Sequence, residues 1–206
     1  MRVVRSDRTM RHSARVMLIA TAILATNNTA SAGNDSVGMT ITSDRDPDNF
    51  EVPKDMKYEL NGAHTFDDGL ILGGSFQFTD TAFSDRASQN LEGTIGYRMQ
   101  LDSVLSVNGS AGLGEHWRED PSTYFPYYVL RIGADLDLNQ NITWNTISYR
   151  FRDAFDRDDD YDTPQIATGV TFKLDGDNSI AVKIMRNWKD DQPSSTGVSL
   201  GFKKKF

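Results

Sequence analysis

Six basic residues stand at alternate positions within extended, apolar stretches of this 206-residue chain: Arg98, Arg131, Arg150, Arg152, Lys173 and Lys183. Alternate residues of a strand point to opposite faces, so each belongs to the face opposite its apolar neighbours. Lys57, Lys203 and Lys205 follow the same rule, as do the acidic residues Glu59, Glu92, Asp135 and Asp137. If that face is the inside of a closed sheet, the interior carries nine basic against four acidic groups. Rings of arginine and lysine favour anions, so one expectation is a passage for small anionic solutes. The competing expectation is a salt-bridged plug, because small barrels fill with side chains and buried charges must pair.

Catalysis has one candidate centre, His116, with Glu115, Glu119 and Asp120 near it in sequence and Ser110 on the same face. A histidine–carboxylate pair there could activate water or a serine. His64 lies beside a short turn, at the other end of the strands. Two acidic runs, Asp44–Asn49 and Asp156–Asp162, space carboxylates two apart, as oxygen ligands for calcium often are. The second fails as an EF-hand: Tyr161 stands where glycine is needed and Ala167 where the bidentate glutamate is needed. What remains is a looser divalent site or a solvated acidic rim. Gly109, Gly112 and Gly114 precede no helix and make no phosphate loop. No catalytic residue, cofactor or metal is assigned.

The elements that must position these residues are ten extended segments, read as 37–43, 57–66, 70–80, 90–101, 104–116, 126–138, 142–152, 165–174, 179–189 and 196–206. In the sixth, Tyr128, Leu130, Ile132, Ala134, Leu136 and Leu138 share one face, and Arg131, Asp135 and Asp137 share the other. The seventh is out of phase. Trp144 and the row Ile147, Tyr149, Phe151 require either a bulge near Asn145 and Thr146 or a different register. Tight turns rich in Asp, Asn and Gly (67–69, 102–103, 139–141, 175–178) alternate with longer connections (44–56, 81–89, 117–125, 153–164, 190–195). All six prolines fall in the long connections or at a strand's first residue, where no ladder bond is lost. The fold expected is an all-β, transmembrane, antiparallel up-and-down β-barrel of ten strands, with eight as the alternative and a soluble sandwich as the competing architecture.

Bulk properties agree. Residues 1–32 read as a secretory signal: Arg2, Arg5, Arg8, Arg11 and Arg15, an apolar core Val16–Ala25, and a cleavage site Ala30-Ser31-Ala32. The barrel domain is then 33–206, with 17 basic against 28 acidic side chains, a net charge of −11. That argues against nucleic acid as a partner. With no cysteine, closure of the sheet must do the work of a disulfide staple. A mean hydropathy of −0.50 suits a barrel, in which only every second strand residue meets lipid.

The C-terminal stretch resembles the assembly signal of Gram-negative outer-membrane β-barrel proteins. Leu200, Phe202 and Phe206, with Val198, match its pattern of a final phenylalanine preceded by alternating apolar residues, and Lys204 departs from it. Aromatics near the strand ends, among them Phe78, Trp117, Tyr124, Phe125, Tyr127, Tyr128, Phe151 and Trp188, suit an interfacial girdle. The resemblance implies a bacterial outer-membrane location and a monomer in contact with membrane lipid, lipopolysaccharide and the barrel-assembly machinery. The basic face is similar to that of small monomeric porins for acidic oligosaccharides, although those have twelve strands. Ten-stranded outer-membrane proteases place their Asp and His pairs at the outer rim, and no motif of theirs matches. Three functions stay open: an anion-favouring passive channel (the porin-like reading), a closed structural or surface-interaction barrel with acidic loops, and a hydrolase at His116.

Overall fold

The computed structural model describes residues 34–84, 86–119, 122–159 and 161–206. The expected signal 1–32 lies outside the described residues. Ten strands form one sheet: β1 Asn34–Arg45, β2 Pro53–Thr65, β3 Leu70–Thr81, β4 Ala87–Gln100, β5 Leu105–Arg118, β6 Thr123–Asn139, β7 Ile142–Ala154, β8 Gln165–Lys173, β9 Asn178–Lys189 and β10 Gln192–Lys205. Each pairs antiparallel with its sequence neighbours, and β1 pairs with β10, so the sheet closes into a barrel. Closure leaves no unpaired edge, which excludes both the sandwich and the eight-strand alternative. Among the described residues no helix is long and apolar enough to cross a membrane.

The two faces are chemically inverted relative to a water-soluble barrel. Outward-facing Ile95, Leu113, Leu130, Ile132, Ile184 and Leu200 are about half exposed or more. The buried set is mostly polar and points inward, including Asp44, Gln77, Asn90, Glu92, His116, Arg152, Asn187 and Ser199. An apolar exterior on every side and a hydrogen-bonded polar interior is the distribution a lipid-facing barrel needs.

The strands run further toward the long-loop end than the sequence alternation implies. β1 is a full twelve residues rather than the short segment expected, and β6 extends from Thr123. Pro126 therefore lies inside β6, opposite Glu115, and not at its start. Residues 190–195 are not a long loop. Asp190 and Asp191 alone connect β9 to β10, with φ of 50° and 60°. Positive φ at both central residues is the backbone of a twist-matched two-residue hairpin. Pro193 then sits at the second position of β10, beside a register shift.

The irregularity in β7 is a bulge. Ala134 pairs with Ile147 and Asp135 with Asn145, leaving Thr146 as the extra residue. Its hydroxyl donates to Ala134 O (2.9 Å). The same shift appears against β8, between Asn145 and Ser148. A one-residue slip exchanges faces, so the bulge lets Trp144 and Ile147 both face outward and carries Arg150 and Arg152 to the inside.

The short turns are held by aspartate side chains. Asp102 accepts from Val104 N (2.8 Å) and Leu105 N (2.7 Å), and Asp175 from Asp177 N (3.0 Å) and Asn178 N (2.6 Å). Gly69 has φ of +94°, and a Cβ there would meet Arg98 O at 2.5 Å. Only glycine closes that turn without strain.

Candidate functional site: the charged interior

β6 and β7 bring Arg131 and Arg150 into direct register, side by side on the inner face. Both line a cavity of about 370 Å³ together with Lys57, Lys183, Lys203 and Glu59, and with hydroxyl and amide groups from Thr40, Thr42, Asn61, Gln165 and Ser199. A second cavity of about 300 Å³ shares Glu59, Asn61 and Arg131 with the first and continues to Arg98 and Asn108. Seven of the residues that the sequence places on the inner face, Arg98, Arg131, Arg150, Lys57, Lys183, Lys203 and Glu59, thus line open interior space.

Glu92, Arg152, Asp135 and Lys173 are placed differently. Glu92 is 3% exposed and is the hub of a packed network. It is ion-paired to Arg131 and to Arg152 Nη2 (2.5 Å), and it accepts the Tyr127 hydroxyl (2.9 Å). Arg152 is expected as cavity lining but is 4% exposed, donates to Gln77 Oε1 (3.2 Å) and stacks 5.8 Å from the Tyr127 ring. The reason is the buried carboxylate of Glu92, which draws in the guanidiniums of Arg131 and Arg152. Asp135 lies 3.4 Å from Arg98 and accepts from Asn145 Nδ2 (2.7 Å). Lys173 reaches Asp137, at 3.5 Å and the turn end. Lys57 is paired to Asp44, which is fully buried in β1 and not part of the acidic loop expected from 44 to 56.

Arg150 stands outside this pairing. Its Nε is buried without a hydrogen-bond partner among the described residues, and the ion pairs found there all involve other side chains. Three guanidiniums, Arg131, Arg150 and Arg152, therefore converge where Glu92 supplies one buried carboxylate and Glu59 a second acidic group.

The loop-side half of the interior is packed. Asn90 Nδ2 donates to Gln77 Oε1 (3.2 Å), and Asn90 Oδ1 lies 2.9 Å from His116 Nδ1 and accepts the Tyr161 hydroxyl (2.7 Å). On the opposite side Gln165 donates to Asn187 Oδ1 (2.7 Å), and Asn187 donates to Ser195 Oγ (2.7 Å). Phe125 and Tyr127, expected in an outward girdle, face inward and are almost wholly buried. Their neighbours Tyr124 and Tyr128 do face outward, against Trp117 and against Phe151 and Phe155.

Among the described residues His116 is not paired with a carboxylate. Its polar partner is the Asn90 amide, and its ring lies between Phe125 (4.8 Å) and Tyr161 (4.9 Å). Glu115 points outward and accepts from Tyr124 OH (3.0 Å), while Asp120 lies outside the described residues. Ser110 is six residues along the same strand, about 20 Å away at the strand rise. His64 meets a carboxylate, Asp35 (2.5 Å), on the outer surface near the turn end. The acidic runs are not gathered into a metal site: no cluster of three or more His, Asp or Glu positioned for an ion occurs among the described residues. At the C-terminus, Leu200 is exposed on the outer face, Phe206 N donates to Asp35 O (2.9 Å), and Lys204 Nζ lies 5.1 Å from the Phe206 ring.

Asp44, Gln77, Asn90 and Tyr161 are interior residues that the sequence reading passes over. Asp44, Gln77 and Asn90 carry a signal, since they fall on the inner parity of β1, β3 and β4. Tyr161 comes from a connection and has none.

No protein-family model matches the sequence. No curated protein matches it either. Solved barrels resemble the structure at low sequence identity. The KdgM porin is 15% identical over 83% of this chain and 99% of its own, with a TM-score of 0.45. The NanC porin is 9% identical over 82% of this chain and 100% of its own, with a TM-score of 0.49. Neisserial surface protein A is 11% identical over 87% of this chain and 100% of its own, with a TM-score of 0.41.

Proposed function

We propose that this chain is a bacterial outer-membrane barrel that acts as a narrow passive channel for small anionic solutes. The observation that carries the reading is the excess of positive charge around the larger cavity: Arg150, Lys183 and Lys203, beside Arg131 and Lys57, which are held by the buried carboxylates of Glu92 and Asp44, against Glu59. A low-dielectric wall strengthens such a field, which raises the local concentration of anions and lowers that of cations. Hydroxyl and amide groups between the charges replace the water that an anion sheds. The apolar exterior supports the membrane location. In this reading the barrel is a monomer surrounded by lipid and lipopolysaccharide, delivered by the assembly machinery that reads the Leu200, Phe202 and Phe206 pattern.

Liposome swelling tests it. A small carboxylate should enter vesicles carrying the barrel faster than a neutral solute of equal size. The double substitution Arg131→Ala and Arg150→Ala should erase the difference. Equal entry of the two solutes through the unaltered barrel contradicts the reading.

One observation favours a second reading. The packed layer from Gln77 and Asn90 to Glu92, Arg152 and Tyr161 fills the loop-side interior, as in a closed barrel that works through its acidic loops. That reading predicts no solute entry and a phenotype that follows the loops at 46–52 and 155–164.

A further inference from the structure

At the long-loop rim the outer face changes from apolar to charged. There β1, β10 and β9 place Arg45, Thr196 and Arg186 in one cross-strand row, Arg45 opposite Thr196 and Thr196 opposite Arg186. Their chain neighbours Asp44, Gly197 and Met185 face the interior. Asp44 is buried, a Cβ on Gly197 would meet Asp44 Oδ1, and Met185 lines the larger cavity. By alternation the row itself faces outward. Arg45 and Arg186 stand two strand spacings apart, about 10 Å, so both side chains can converge on one group above Thr196.

Hydrogen bonds hold the row in place. Arg45 Nε donates to Ser43 Oγ (3.1 Å) on the same face. Arg186 Nη1 donates to Thr196 Oγ1 (2.6 Å) and to Pro47 O (2.9 Å). Lys54 spans β1 from β2, its Nζ donating to Ser194 O (2.7 Å) of β10. Among the described residues none of these three cations is in an ion pair. Asp46 lies near Lys54 and Arg186, but its carboxylate accepts from Asp48 N (3.0 Å) and Asn49 N (3.1 Å). A guanidinium carries five N–H donors, so both arginines keep donors to spare. The Thr196 hydroxyl accepts from Arg186 and keeps its own proton to give.

Elsewhere on this rim the charge has the opposite sign and is capped. Glu115 of β5 accepts from Tyr124 OH (3.0 Å), and Asp153 of β7 accepts from Tyr128 OH (3.1 Å), all four facing outward. Below the arginines the wall is apolar and exposed, with Ile184 under Arg186 and Val198 and Leu200 under Thr196. Trp188 takes the next outer position toward the loop, the depth that indole rings prefer.

We propose that Arg45, Thr196 and Arg186, with Lys54 beside them, form a binding site for the phosphorylated headgroup of lipopolysaccharide. The guanidiniums and the hydroxyl take a phosphate by charge-assisted hydrogen bonds. The acyl chains lie on the wall of Ile184, Val198 and Leu200. The longer connections of such barrels are the extracellular ones, so the row meets the leaflet in which this lipid resides. An uncharged headgroup would leave both arginines uncompensated at the membrane surface. The site rests on the outer-membrane location proposed above and not on conduction, because it lies outside the lumen.

Lipid retention tests it. The refolded barrel, in micelles of an uncharged detergent, is titrated with diphosphorylated lipid A or with the same lipid stripped of phosphate, and the retained lipid is counted by native mass spectrometry. The parent should hold the diphosphorylated form about tenfold or more tighter than the stripped one. Arg45→Ala with Arg186→Ala should erase that preference. Arg45→Ala alone should fall between, and it serves if the double variant folds poorly. Glu115→Gln with Asp153→Asn, on the other side of the rim, should keep the preference in full. The same preference in the parent and in both arginine variants overturns the site and leaves the channel reading standing. Displacement of the lipid by inorganic phosphate at equal concentration overturns the lipid as occupant. A folded barrel that retains neither form overturns the site and the membrane location together. A barrel that shows the preference and never conducts keeps the site and overturns the channel.

Discussion

Arg131 of β6 and Arg150 of β7 are direct cross-strand partners on the inner face of the barrel. Like charges in that position normally destabilise a sheet. One of them is compensated, since Arg131 shares the buried carboxylate of Glu92 with Arg152. Arg150 has no such partner among the described residues and faces the larger cavity. The pair therefore splits into a structural arginine and an available one.

That split predicts unequal mutants. Arg150→Ala removes a like-charge contact and no ion pair, so the unfolding midpoint of the refolded barrel in urea should stay the same or rise. Glu92→Gln leaves Arg131 and Arg152 without their carboxylate and should cost about 3–5 kcal/mol, the usual cost of breaking a buried ion pair from one side. Arg131→Ala should fall between, because Glu92 keeps Arg152 and the Tyr127 hydroxyl. Equal losses at Arg150 and Glu92 would remove the distinction.

The exterior predicts a reversed response to charge. Ile132 is 63% exposed on the outer face of β6. In a water-soluble barrel Ile132→Arg would be harmless. In a bilayer it should destabilise the barrel by about 2–4 kcal/mol at mid-depth, measured by unfolding from vesicles. No loss would remove lipid from the account.

The turn aspartates predict an acid-dependent contribution. The carboxyl of Asp102 is held below the usual aspartate value by the backbone N–H groups of Val104 and Leu105. That of Asp175 is held down first by the Asn178 side chain and then by the N–H groups of Asn178 and Asp177. A depressed carboxyl stabilises the fold above its unfolded-state value, and the contribution is lost as pH falls through the folded-state value. The stability gap between the parent and Asp102→Ala with Asp175→Ala should hold at neutral pH and shrink below about pH 4. A gap independent of pH would show that the carboxylates do not hold these turns.

Much of this architecture is legible in the sequence because a barrel wall obeys a period of two. The parity of Leu130 and Ile132 against Arg131 assigns both faces of β6, and the phase slip around Asn145 and Thr146 marks the bulge that the pairing of Ala134 with Ile147 displays. The strand ends are less legible. Thr123 to Phe125 read as loop because Pro126 suggests a start, yet the ladder with β5 continues past it. The Asp190-Asp191 turn is hidden because neither residue is the glycine or asparagine that usually marks positive φ. Pairing within the interior is hidden for a different reason. Parity places Arg150 and Arg152 on one face alike, and only three-dimensional proximity gives Glu92 to one and not the other. Tyr161 belongs to no period, so a loop residue that enters the lumen leaves no trace in the alternation.

The central claim is that the interior field favours anions. The most direct measurement is the reversal potential of the refolded mature barrel in a planar bilayer under a salt gradient, with the Arg131→Ala, Arg150→Ala double variant beside it. The account predicts stable conductance with a reversal potential of the anion-selective sign, moving toward zero in the variant. A cation-selective sign, or no conductance from a barrel shown to be folded, would contradict it.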